Sequence, residues 1–407
     1  MPLSSVARPT MLSQSLTQSR AQTDALFSLI HPDAIYDRPI PERHRLVFYL
    51  GHLEAFDWNQ ICRRALSIPS FQPEFDKLFE FGIDPPPGKL PNDTPADWPS
   101  IAEIGRYNMR VRERIDSLLG EAPDEVIQVA IEHRLMHAET FAYLLHQLPQ
   151  EKKVPQTAPV SSLLERPQKD MITIPAGATT LGKRRGDGFG WDNEFDDHTV
   201  QVPAFRISKY KVTNGEYLEF VRAGAQAPLF WTQRSGQWYW HGMFQDFPLP
   251  LEWPVYVSQS EAAAYARFVG KELPTESQFH RAAYADSKYL YPWDNTPPDS
   301  FRGNFDFHCW DPIPVNATPA GDSVFGVSQL VGNGWEWTST VFAPFAGFQP
   351  FPFYPGYSAN FFDGEHYVMK GGSSRTAARL LRCSFRNWFR AAYPYTYAGF
   401  HLVENIG

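Results

Sequence analysis

Residues 131–140 read IEHRLMHAET. On a helix, positions four apart lie about one turn from each other on the same face, so His133 and His137 can aim at one ion. Glu139 falls roughly 160° to 200° away from His137 in projection, which makes it a poor third ligand and suits it to steering another group. Histidine pairs at this spacing commonly face solvent or sit satisfied in a core, so a metal site needs a partner from another segment. His52 meets that need, because it lies near the middle of its own helical stretch between Tyr49 and Phe56. Three neutral imidazoles with open coordination positions suit iron(II), zinc, copper or nickel, and the donor set alone does not choose among them.

The flanking segments supply the helices that such a site requires. Residues 42–67 carry Leu46, Leu50, Leu53 and Phe56 at helical spacing, with Arg63 and Arg64 in the last turn, where cations suit the helix dipole. A proline-rich passage over 68–99 cannot be helical throughout and reads as a long crossover. Ser100 with Glu103 predicts a capping box opening a helix to about Leu119. A further helix runs from near Asp124 to about Gln147. With LTQSRAQTDALFSLI (16–30) these make four helices, the number that closes a bundle core. The expected organisation is a helical bundle over 15–150, a polar, proline-bearing linker over 151–169 and a second domain over 170–407.

Of the 407 residues, 15% are aromatic, and ten of the 12 tryptophans lie after residue 170 among frequent glycine and proline turns. That half predicts short strands, two helices (SQSEAAAYARFVG and TESQFHRAAYA) and long aromatic-rich loops. The fold class is therefore α+β, a bundle followed by a mixed domain with little regular secondary structure. A formal net charge of -8 offers no basic face for phosphate backbones, which argues against nucleic acid. No run of about 18 apolar residues and no secretory leader pattern occurs, so no membrane partner is expected and the chain reads as soluble and cytoplasmic. Three widely spaced cysteines (Cys62, Cys309, Cys383) match neither a disulfide framework nor a zinc pattern and read as reduced thiols. The sequence carries no signal for an oligomeric state.

YLGHLEAFDWN (49–59) and HRLMHAE (133–139) resemble the DinB-like bundle of the ergothioneine-pathway sulfoxide synthases. Residues 170–407 resemble the domain fused to it there, which is related to formylglycine-generating enzyme and is C-type-lectin-like. The phrases that carry this are NEFDDHTVQVPAFRISKYKVTNGEYLEFV, LPTESQFHRAA, YPWD, GNGWEWTST, KGGSS and SFRNWFRAAYPYTYAGFHLV, in the family's order. Taken singly, GNGWEWT reads equally as a turn with tryptophans filling a core, and KGGSS as a tight backbone crossing. The resemblance implies Fe(II) held by His52, His133 and His137, dioxygen as oxidant, and hercynine (N-trimethylated histidine) as the substrate that receives a sulfur or selenium donor at its imidazole carbon.

A trimethylammonium group cannot donate a hydrogen bond, so aromatic faces are its natural partners. Asn387, Trp388 and Phe389 match the family's substrate-binding stretch, with Tyr393, Tyr395 and Tyr397 close behind. Arg386 is a candidate for bidentate pairing with the substrate carboxylate. FYPGYSANFF (353–362) falls where the family places its active-site tyrosine loop, which makes Tyr357 and Tyr354 the candidate proton donors. Departures bear on the donor. Phe389 stands where synthases using γ-glutamylcysteine tend to carry aspartate, and Met136 stands where relatives often have glutamine. ERHRLVFYLGHLEAFDWN (42–59) looks more like the selenoneine synthase branch, which uses a selenosugar. The alternatives are a hercynine sulfoxide synthase using cysteine or γ-glutamylcysteine and, in another class, a non-catalytic ligand-binding scaffold. A cysteine oxidase would need paired thiols near the carboxyl end, where only Cys383 is found. Arg106, Arg110 and Arg114 form a stripe that reads as solvated, or as a contact for an anionic or polyhydroxyl donor.

Overall fold

The computed structural model describes residues 11–80, 90–156, 169–286 and 289–406. Part of the expected crossover (81–89) and most of the expected linker (157–168) lie outside the described residues. The chain divides into two compact units, Met1–Gln156 and Thr157–Gly407.

The first unit contains α1 (Met11–Phe27), α2 (Leu46–Asp57), α3 (Pro73–Leu78), α4 (Ile101–Leu118) and α5 (Asp124–Gln147). The four expected helices are present. Ser100 and Glu103 form the anticipated capping box: the Ser100 hydroxyl accepts from the Glu103 amide at 3.3 Å and Glu103 Oε2 accepts from the Ser100 amide at 2.9 Å. α2 starts later than the expected residue 42 because Arg45, its N-cap, is extended. It then continues as a π-helical turn over Trp58–Ala65. α3, which lies inside the expected crossover, was not anticipated, although Pro73 at its start and Glu74 and Asp76 in its first turn are ordinary helix-opening signals. The chain beyond α5 stays with this unit, since the Val154 amide donates to Leu29 O at 2.8 Å and the His31 amide to Lys152 O at 2.9 Å.

α2 is the central helix, with eleven of its twelve residues buried. Two of those are carboxylates, and both are paired. Arg134 of α5, itself fully buried, reaches Glu54 at 3.0 Å and Asp57 at 2.7 Å. Arg112 of α4 bridges Glu54 at 2.6 Å and Asp24 of α1 at 2.7 Å. One set of charges thus ties all four long helices together.

The second unit is mixed. β1 (Met171–Ile174), β4 (Phe205–Ser208) and β12 (Val403–Asn405) form one sheet, and β2 (Gly177–Leu181) pairs with β3 (His198–Val202). β5 (Trp231–Arg234), β6 (Gln237–His241) and β7 (Asp246–Pro248) make a meander. β8 (Trp335–Val341), β9 (His366–Lys370), β10 (Asn387–Arg390) and β11 (Ala398–Gly399) form a fourth sheet in the order β10-β9-β8-β11, with β11 parallel to β8. Both expected helices are present as α7 (Gln259–Phe268) and α8 (Glu276–Tyr284). α6 (Asn214–Arg222) was missed, although Thr213 and Glu216 cap it with the same box motif as Ser100 and Glu103.

The structural readings of the two glycine phrases hold. Trp335 and Trp337 are core side chains, and Glu336 between them is buried against Lys211 and against His401 Nδ1 at 2.9 Å. Gly371 has φ +86° and passes so close to Leu330 that a Cβ there would lie 2.3 Å from its carbonyl oxygen. All three cysteines are free. Among the described residues no helix is long and apolar enough to cross a membrane.

Replacing Arg134 with Met leaves Glu54 and Asp57 buried without their shared cation. The expected loss is about 3–5 kcal/mol of unfolding free energy, read as a lower urea midpoint for the bundle transition.

Candidate metal centre

α2 and α5 lie against each other with their histidines facing. The candidate ligand nitrogens of His52, His133 and His137 all lie within 4.8 Å of one another. Among the described residues no other group of three His, Cys, Asp or Glu side chains converges in this way. Aromatic faces hold two of the rings: Phe56 stacks on His133 at 3.4 Å between centroids and Phe48 on His52 at 4.8 Å.

The protonation states follow from burial and one hydrogen bond. His52 Nδ1 lies 2.7 Å from the carbonyl oxygen of Phe79. A carbonyl only accepts, so Nδ1 carries the proton and Nε2 presents its lone pair. Burial drives the His52 imidazole down to about 4, against the opposing effect of the Phe79 bond. His133 and His137 are held well below the ordinary histidine range, first by burial and then by the neighbouring imidazoles. All three are neutral donors near pH 7.

The spacing fits an ion. His52 Nε2 and His137 Nε2 are 3.2 Å apart, and two nitrogens each about 2.1 Å from one cation, at ligand angles between 90° and tetrahedral, lie about 3.0–3.4 Å apart. Donor type, charge and separation therefore suit a divalent transition metal held by His52, His133 and His137 with further positions open.

The remaining candidates lie in the second unit. Their strand divides them. Along β10 successive side chains point to opposite faces, so Asn387 and Phe389 share one face while Trp388 lies on the other. Trp388 stacks on Phe342 at 4.2 Å and meets Tyr357 edge-on at 5.4 Å. Tyr357 in turn stacks on Trp191 at 3.9 Å, with Tyr354 at 5.7 Å. Phe389 stacks on Tyr393 at 4.9 Å, and Asn387 Oδ1 accepts from the Trp388 amide at 2.9 Å. The structure thus brings together Trp388, Tyr357 and Tyr354 in one aromatic cluster and Phe389 with Tyr393 in another, while Asn387 shares the β10 face of Phe389. Tyr397 is a core residue, buried against Phe230 and Tyr256.

Arg386 is held inside the second unit. Its guanidinium is buried and donates to Glu276 at 3.0 and 3.1 Å and to Ala343 O at 3.0 Å. With Nε, Nη1 and Nη2 all engaged internally, it braces the start of β10. No local pattern in the sequence signals this partner, since Glu276 lies 110 positions away. Arg106, Arg110 and Arg114 are exposed, with Arg110 lying 4.2 Å from the Phe71 ring. Burial raises the Cys383 thiol, which disfavours the reactive thiolate that a cysteine oxidase would need.

The fold and site together define a class: a helical bundle carrying three histidines that could hold a metal ion, followed in the chain by a loop-rich mixed domain. Residues 15–151 match the DinB superfamily and residues 157–406 match the Sulfatase-modifying factor enzyme 1-like domain. A protein named hercynine oxygenase from Mycobacterium tuberculosis is 32% identical over 75% of this chain and 79% of its own. Proteins named ergothioneine biosynthesis protein 1 from Neurospora crassa and Schizosaccharomyces pombe are each 28% identical over 93% of this chain, which spans 56% and 54% of their lengths. The chain belongs to the ergothioneine-biosynthesis sulfoxide synthase family.

Two outcomes are expected. His137→Ala purifies folded but without stoichiometric metal, as read by elemental analysis beside circular dichroism. Arg386→Ala loses about 1–3 kcal/mol of stability because buried Glu276 loses both guanidinium hydrogen bonds and keeps only Lys370, 3.8 Å away; a variant with unchanged urea unfolding and only a raised KM would support a substrate-binding role for Arg386.

Proposed function

We propose that this chain is an iron(II)- and dioxygen-dependent enzyme that joins a chalcogen donor to the imidazole carbon of hercynine. The observation that carries the reading is the convergence of three neutral imidazoles, two of them buried and His137 half-buried, on one point between α2 and α5. Family membership supports iron among the metals that the donor set accepts. Bound iron(II) would supply the redox capacity that couples dioxygen to oxidation of the donor and the ring. With a thiol donor the atoms balance for a sulfoxide: the ring C–H and the S–H are lost, the carbon–sulfur bond forms, and dioxygen takes up four electrons, one oxygen atom staying on sulfur and the other leaving as water.

The chain's own groups would bind and orient. Phe389 and Tyr393 offer stacked rings to the trimethylammonium, and the Asn387 side chain offers the polar contact beside them. Tyr357, braced by Trp191 and Trp388, is the preferred phenol for moving a proton, with Tyr354 next to it.

The names of the relatives support a thiol donor, cysteine or γ-glutamylcysteine, better than the selenosugar expected from the sequence. A second reading, selenoneine synthesis from a selenosugar, is favoured by residues 42–59 and by Phe389, which offers a ring and not a carboxylate to a donor amino group. The iron-loaded protein is incubated aerobically with hercynine and, in separate arms, cysteine, γ-glutamylcysteine and selenosugar, with mass spectrometry of the products. The expected result is a hercynine adduct in one arm only. No adduct and no oxygen uptake in any arm would leave the ligand-binding scaffold.

A further inference from the structure

His52 is oriented from outside the histidine cluster. Its neighbour Gly51 is the reason this is possible: a Cβ at Gly51 would lie 2.6 Å from three carbons of the Phe79 ring. Without one, the Phe79 ring lies directly on the backbone of α2, and its carbonyl oxygen comes within 2.7 Å of His52 Nδ1. Phe79 is the residue that ends α3, where its amide donates to Phe75 O at 3.0 Å.

α3 is only six residues long, too short to persist by its own hydrogen bonds. What holds it is Asp76, which is fully buried. Asp76 Oδ1 accepts from the Tyr107 hydroxyl of α4 at 2.8 Å, and Oδ2 accepts from Trp58 Nε1 at 3.0 Å. Its backbone carbonyl accepts from Asn59 Nδ2 at 3.2 Å. Trp58 and Asn59 begin the π-helical turn that continues α2, so the widened turn and α4 grip α3 between them. The path is continuous from the buried carboxylate to the imidazole: Asp76, one turn of α3, the Phe79 carbonyl, His52.

We propose that Asp76 is a positioning residue for the metal ligand His52, acting through α3 and the Phe79 carbonyl to fix the tautomer and ring orientation that present Nε2. The inference rests on reading His52 as a ligand. Partners that hold a ligating histidine by its other nitrogen typically govern metal affinity by 10–100-fold.

The test measures Fe(II) affinity anaerobically by competition with a chromophoric chelator, and the visible absorption of the Co(II)-loaded protein, with circular dichroism to confirm folding. Asp76→Asn replaces an acceptor of two donors by a group that opposes one of them. Gly51→Ala drives the Phe79 ring off α2. Both are expected to weaken Fe(II) binding roughly 10–100-fold and to alter the Co(II) bands. Adding Phe79→Ala to Gly51→Ala removes the clashing ring but keeps the carbonyl, and is expected to restore affinity. Should Asp76→Asn fail to fold, Tyr107→Phe removes one of its bonds more gently and is read in the same way. Folded variants with wild-type affinity and wild-type bands would overturn the proposal while leaving the ligand set intact; a wild-type protein that binds no Fe(II) would overturn the ligand set itself.

Discussion

The bundle depends on one buried guanidinium. Arg134 sits between Glu54 and Asp57 with all three side chains removed from water. Burying these charges is costly, and the cost is met only in one register of α2 against α5, where both carboxylates reach the same cation. Burial alone would lower the arginine's basicity, yet Asp57 and Glu54 outweigh it and hold the guanidinium protonated. Arg134 follows His133 directly and Glu54 lies two positions after His52, so the register that satisfies the charges is the one that brings the imidazoles together. Arg112, reaching Glu54 and Asp24, extends the same constraint to α4 and α1.

The second unit solves its problem differently. Its strands are short, and buried polar clusters supply the order that long sheets would otherwise give. Glu336 joins Lys211 and His401 inside the core. Glu276 takes Arg386 and stands 3.8 Å from Lys370, whose own ammonium, pushed down to about 8 by burial, donates to Cys383 O and Phe385 O. These contacts pin the start of β10 and thereby decide which faces Asn387, Trp388 and Phe389 occupy. The aromatic richness of this half is divided between core rings such as Tyr397 and the two clusters around Tyr357 and Phe389.

Much of the molecule could be read from local pattern. The capping pair Ser100 and Glu103, the spacing of His133 and His137, and the inward place of His52 each follow from distances of a few residues along one helix. α6 could have been found in the same way from Thr213 and Glu216. The α3 turn was obscured because its proline-rich surroundings read as a crossover, and the π-helical turn after α2 has no spacing signature of its own. The buried pairing of Arg386 with Glu276 was not legible, because a buried arginine and a substrate-binding arginine look alike until the partner is known.

By itself, then, the sequence determined the four long helices of the bundle, the two kinds of domain, the chemistry of the donor set and the absence of paired cysteines, because these depend on residue type and on neighbours within a turn or two. Only the tertiary structure decided that Asp76 and Phe79 reach His52, that Glu276 occupies Arg386, and that Trp388 turns away from Asn387 and Phe389. The first two outcomes join residues tens to more than a hundred positions apart, and such pairings exist only after burial has forced each polar group to find its partner; the third follows once pairing with β9 makes 387–390 a strand.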